Sequence, residues 1–74
     1  MEEKDLSWRA KLAKANINIL NLDGDLVNIE FTYHPKPGVF KWCKTIFVLK
    51  WDNDAELGDQ ILKHVLALRK ELEG

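Results

Sequence analysis

The sequence predicts an α+β fold: a three-stranded antiparallel β-meander with a C-terminal amphipathic helix packed on one face. Three observations predict it. Two segments of alternating polarity flank Asp23-Gly24, a residue pair that favours hairpin turns. A run rich in β-branched and aromatic residues follows a Pro/Gly break. The end of the chain repeats leucine, isoleucine and valine at helical spacing.

The hairpin comes first. Asn16-Ile17-Asn18-Ile19-Leu20 alternates, and Val27, Ile29, Phe31 and Tyr33 alternate after the turn. Strands over about 10–21 and 25–34 are expected. Register follows from side-chain parity, because a one-residue slip turns every side chain to the other face. A two-residue Asp23-Gly24 loop sets Asn18 opposite Ile29 and Asn16 opposite Phe31, mixing polar with apolar. A three-residue Leu22-Asp23-Gly24 loop sets Ile19 opposite Val27, Ile17 opposite Ile29 and Ala15 opposite Phe31. The second register is preferred, since it leaves one face apolar and the other polar.

The segment before the hairpin fits two readings. Ser7 to Ala15 has good helix formers and a capping serine, which gives a short N-terminal helix. Trp8, Ala10 and Leu12 also alternate with Arg9 and Lys11, which extends the first strand back to about residue 10. The strand reading is preferred, and residues 1–6 are expected to lack order.

His34-Pro35-Lys36-Pro37-Gly38 ends the second strand, because proline donates no ladder hydrogen bond. The third strand is expected over about 39–51. Its faces are Val39/Cys43/Thr45/Phe47/Leu49/Trp51 and Phe40/Trp42/Ile46/Val48, and neither is polar. A helix over about 54–72 follows. Asn53 with Glu56 fits a capping box, and Leu57, Ile61, Val65, Leu68 and Leu72 form its apolar stripe.

The chain has 74 residues, enough for a single domain over 1–74. No apolar run approaches the ~20 residues of a membrane helix. The start, MEEKDLSWRA, lacks the apolar core of a secretory signal. The single cysteine, Cys43, forms no internal disulfide, and a cytoplasmic location is expected. The net charge of −1 hides alternating blocks: residues 35–51 carry four lysines and no acid, and residues 52–60 carry four acids and no base.

The apolar content, 46%, exceeds what one sheet face and one helical stripe use. Leu62 and Leu66 fall outside the main stripe, and the third strand is apolar on both sides. A non-enzymatic interaction module is therefore expected, self-associating as a homodimer or docking on a larger protein through Phe40, Trp42, Leu62 and Leu66. The N-terminal segment is the other candidate cover for the second face. The alternative function is single-stranded nucleic-acid binding, with Trp42 stacking on bases and Lys11, Lys14, Lys41 and Lys44 meeting phosphates. A catalytic or metal site through Cys43 and His64 ranks last. No catalytic motif, cofactor site or small-molecule substrate is evident. Asp52, Asp54 and Glu56 match the start of a calcium loop, but Leu57 and Lys63 stand where that loop needs Gly and Glu, so no metal is expected.

The order of hairpin, third strand and capped helix spans about 17–72. With Ile46-Phe47-Val48-Leu49-Lys50-Trp51 running into an acidic helix start, it resembles the tail of the α-β-β-β-α RNA-binding subunits of the signal recognition particle Alu domain. The order is also similar to that of the single-strand-binding transcriptional coactivators that dimerise through a C-terminal helix. These resemblances imply nucleic-acid binding; no functional residue is carried over from either.

Overall fold

The computed structural model describes the backbone of residues 3–74 and the side chains from Trp8 onward. The elements run α1 (Glu3–Lys14), β1 (Ile17–Asp23), β2 (Leu26–Lys36), β3 (Val39–Val48) and α2 (Asp54–Glu73). The strands form one antiparallel sheet in the order β1-β2-β3, so the α+β meander with its C-terminal helix is borne out.

The N-terminal segment is helical rather than the start of the first strand. Trp8 and Leu12, four residues apart, lie on one helical face and both are buried. Their separation also satisfies alternation, which is why the strand reading arose. Ser7 lies inside the helix and is not its cap. Glu3 to Leu6 belong to α1, whereas Met1 and Glu2, also expected to lack order, lie outside the described residues. Asn16 ends the helix with φ +61°, in the left-handed region that asparagine tolerates better than most residues. Its N–H donates to the Ala13 carbonyl at 3.0 Å, and the chain enters β1 at once.

The hairpin keeps the expected parity but sits two residues from the expected register. Ile19 is opposite Ile29 and Ile17 opposite Phe31. The loop is the two-residue Gly24-Asp25, with φ +60° at Gly24, the first central position, as in a type II′ turn. A bulge at Leu20 absorbs the extra residue between Ile19 and Asn21. The shift of two residues leaves Ile17, Ile19 and the residues of β2 on their predicted faces, and past the bulge Asn21 and Leu22 change face.

The second hairpin turns at Pro37-Gly38, with Gly38 at φ +80°, the pattern of a type II turn. Strand β2 therefore runs past Pro35, which falls in a register shift between Tyr33 and Lys36. Strand β3 ends at Val48 rather than Trp51. Leu49 still donates to the Asp25 carbonyl at 2.9 Å, and Gln60 Nε2 holds the crossing segment through the Lys50 carbonyl at 2.8 Å.

Helix α2 starts as expected. Asn53 Oδ1 accepts from the Glu56 N–H at 2.8 Å, and Glu56 Oε1 reaches back to the N–H of Asp52 at 2.9 Å, one residue before the cap. Leu57, Ile61 and Val65 are buried against Val27, Ile29 and Phe31, while Leu68 is half-buried and Leu72 exposed. Trp8 and Leu12 join the same core, so both helices cover one face of the sheet.

The C-terminal turn of α2 finishes the sheet where β1 runs out. The Thr32 N–H donates to the Asn16 carbonyl at 3.3 Å, but Asn16 spends its own N–H on α1. Arg69 Nε supplies the missing donor to the Thr32 carbonyl at 2.8 Å, and Arg69 Nη2 donates to the Ala15 carbonyl. One turn later Glu73 Oε2 accepts the His34 N–H at 2.7 Å. The Arg69 guanidinium also lies 5.9 Å from the Phe31 ring centroid.

Helices α1 and α2 meet at Gly58. A Cβ there would lie 3.0 Å from Trp8 Cβ and 3.2 Å from Trp8 Cε3. Helix propensity alone favours Gly58→Ala by about 1 kcal/mol. The tight contact is expected to outweigh it, leaving Gly58→Ala about 1 kcal/mol less stable than the parent and Gly58→Val about 3 kcal/mol less stable in urea titrations. A gain of the full propensity value in Gly58→Ala would show that α1 gives way freely.

Candidate interaction surface on the open sheet face

With both helices on one side, no described element covers the other side of the sheet. Alternation along β3 sends Cys43, Thr45 and Phe47 toward the core and Phe40, Trp42, Lys44, Ile46 and Val48 to the open face. Four of the latter are large apolar side chains with high exposure: Phe40 61%, Trp42 56%, Ile46 56% and Val48 69%. Leu26, directly opposite Val48, extends the patch onto β2 and is also exposed. Sequence reasoning named Phe40 and Trp42 and left out Leu26, although the parity of Val27, Ile29 and Phe31 already places it on the other face.

A polar row crosses the patch. Asn18, Glu30 and Lys44 are neighbours on three successive strands, and Asn18 Nδ2 donates to Glu30 Oε2 at 3.3 Å. Thr32, opposite Trp42, is buried, and together with Asn16, His34, Phe40 and Trp42 it lines a shallow pocket at that end of the face. His34 lies with its ring centroid 6.1 Å from that of Phe40.

The edge of β3 is open as well. In an antiparallel ladder, residues alternate between those that bond to the neighbouring strand and those whose N–H and C=O point away. Leu49 bonds to Asp25, so the odd-numbered residues of β3 face β2. The N–H and C=O groups of Phe40, Trp42, Lys44, Ile46 and Val48 therefore point outward. These are the residues whose side chains form the open-face row.

The predicted interaction residues do not form one patch. Phe40 and Trp42 stand on the open face, whereas Leu62 and Leu66 belong to α2 on the opposite layer. Leu62 is half-buried against the core, and Leu66 is 53% exposed. The residues named for nucleic acid are dispersed too. Lys11 and Lys14 are on α1, where Lys11 Nζ lies 3.7 Å from Asp59 Oδ1. Lys41 has the parity of the covered face. Only Trp42 and Lys44 share the open face, and Lys44 is opposite Glu30.

The catalytic candidates sit in ordinary packing roles. Cys43 is half-buried opposite Phe31 on the covered face, and the His64 ring centroid is 4.9 Å from that of Phe47. Among the described residues no cluster of three or more His, Cys, Asp or Glu side chains is arranged to hold a metal ion. No helix among them is long and apolar enough to cross a membrane.

Comparison with known proteins adds no relative. The chain matches no protein-family model, no curated protein and no solved structure.

The open face contributes little to the fold itself. Ile46→Thr is expected to change stability by less than about 0.5 kcal/mol, whereas Ile29→Thr, fully buried on the other face, is expected to cost about 2–3 kcal/mol. Chemical denaturation of the two variants gives the comparison. Equal losses would mean that the open face is covered in solution.

Proposed function

We propose that this protein works without catalysis as an interaction module, with the open face and free edge of β3 as its docking surface. The observation that carries the reading is the row Phe40, Trp42, Ile46 and Val48, each more than half exposed on a single strand. Scattered exposed apolar residues are normal on a folded protein, but four on one face of one strand, with Lys44 alone between the two pairs, mark a contact surface. Trp42 is its natural anchor, since tryptophan is enriched among the residues that dominate binding energy. The docking partner is a protein, because the row combines apolar side chains with unpaired backbone groups, which another strand satisfies together. Leu62 and Leu66 are left out of this surface, as they lie on the other layer.

Replacing Trp42 and Ile46 by serine tests the reading. The double variant is expected to fold with a melting temperature within a few degrees of the parent and to lose any association or retained partner that the parent shows by at least about tenfold. Parent and variant indistinguishable in sedimentation equilibrium and in partner retention would sink the proposal.

A second reading, single-stranded nucleic acid stacked on Trp42, has one observation in its favour: Trp42 and Lys44 do share the open face. It lacks the surrounding cations, because Glu30 faces Lys44 and the other three lysines lie elsewhere. Mixed single-stranded oligonucleotides are accordingly expected to leave tryptophan fluorescence unchanged at low salt. Quenching that fades as salt rises would instead favour this second reading.

A further inference from the structure

We propose that the occupant of the β3 edge is the β3 edge of a second copy of this chain, paired antiparallel about a twofold axis through Cys43. The inference rests on the reading of β3 as the docking element and names its partner. It starts from the outward N–H and C=O groups of Phe40, Trp42, Lys44, Ile46 and Val48. An edge of this length presenting unpaired groups beside apolar side chains is a template for another strand. Proteins protect such edges by covering them with a helix, breaking them with a bulge, keeping them short or placing charges on them, and of these devices β3 carries charge, at Lys41 and Lys44. Here α2 packs over β2, β3 pairs regularly with β2 along most of its ten residues, and no bulge interrupts Lys41–Val48. The other edge is different: β1 has seven residues and carries the bulge at Leu20.

The chemistry of β3 selects one self-pairing register. Antiparallel neighbours share a face, so a residue of the open-face row must meet another of that row. Two symmetric registers use nearly the whole strand. One puts Lys44 on the axis and sets two ammonium groups directly opposite each other, which is destabilising. The other puts Cys43 on the axis and has no like-charge pair. It sets Trp42 opposite Lys44 of the partner subunit, a cation–π arrangement, and Phe40 opposite Ile46 of the partner subunit. Lys41 then meets Thr45 of the partner subunit. Registers displaced further give up pairing at both ends. In the favoured register the outward groups of Phe40, Trp42, Lys44 and Ile46 are all used, giving about eight backbone hydrogen bonds and one continuous six-stranded sheet.

The same register makes its own reporter. Cys43 meets Cys43 of the partner subunit at a non-hydrogen-bonded site, where Cα atoms lie roughly 4.5 Å apart, within the range a disulfide spans. Copper(II)–phenanthroline takes one electron from each thiol, both protons go to solvent, and the S–S bond forms between chains. Under reducing conditions, sedimentation equilibrium of the full chain is expected to give twice the 8.6 kDa mass at micromolar concentrations. Oxidation of the native protein is expected to link the chains through Cys43 at least about 100-fold faster than in denaturant. In a Cys43→Ser chain, Lys41→Cys with Thr45→Cys should restore the cross-link, and Thr45→Cys alone should not. Lys44→Pro removes an N–H that β2 does not use, so it is expected to spare the sheet and abolish the dimer.

A chain that stays monomeric throughout this range overturns the pairing. So does a dimer that forms no Cys43 disulfide and survives Lys44→Pro. If that dimer is nevertheless lost in the Trp42→Ser/Ile46→Ser variant, the docking surface stands and the copies meet face to face. If it is unaffected by that variant and no other partner needs the face, the docking reading falls with the pairing. Should Lys44→Pro fail to fold, the cysteine pairs decide the register without it.

Discussion

The contact between Trp8 and Gly58 decides how this chain can be built. A three-stranded sheet is narrow, and two helices fit on one of its faces only if they approach closely. Gly58 permits that approach because it has no side chain where α1 crosses α2. The indole of Trp8 then fills the core beside Leu57 and Ile61, and Leu12 seals it next to Ile17. Without this contact α1 would need another place to bury its apolar stripe, and the uncovered sheet face is the one available. The glycine therefore lets α1 share with α2 the face that Val27, Ile29 and Phe31 define.

Arg69 does a related task at the other end of α2. An antiparallel strand that outruns its neighbour leaves backbone groups without partners, and such groups are costly when water is excluded from them. Asn16 turns away into the left-handed region and takes its N–H with it. The guanidinium replaces that donor and ties the end of α1 to the same point, so one side chain joins β2, α1 and α2. Its planar fork suits this better than lysine would, because two carbonyls are engaged from fixed directions.

What could be read from the sequence follows from the same physics. Burial of one face demands alternation, so the facing of Ile17, Ile19, Val27, Ile29 and Phe31 was legible, as were the capped helix and its stripe. A shift of two residues preserves facing at Ile17 and Ile19, so alternation there does not distinguish the real register from the expected one, and only beyond the bulge at Leu20 do the two differ. Residues 8–12 satisfy both periods, and tertiary contact with Gly58 settles them as helix. That one misreading carried Lys11 and Lys14 onto the sheet and built a basic surface there that the fold does not have. Likewise, surplus apolar content was visible from composition, but composition does not say that Leu66 and Trp42 lie on opposite layers.

The bulge at Leu20 has a bearing on assembly that goes beyond hairpin geometry. A sheet with two equally receptive edges can add copies at both ends without limit, which is the growth law of a fibre. This sheet has one regular edge and one that is short and kinked. Joined by their regular edges, two copies would present only kinked edges to the outside. The extra residue in β1 would thus set a stopping rule for the proposed pairing: growth would end after a single addition, leaving a finite particle in place of a filament.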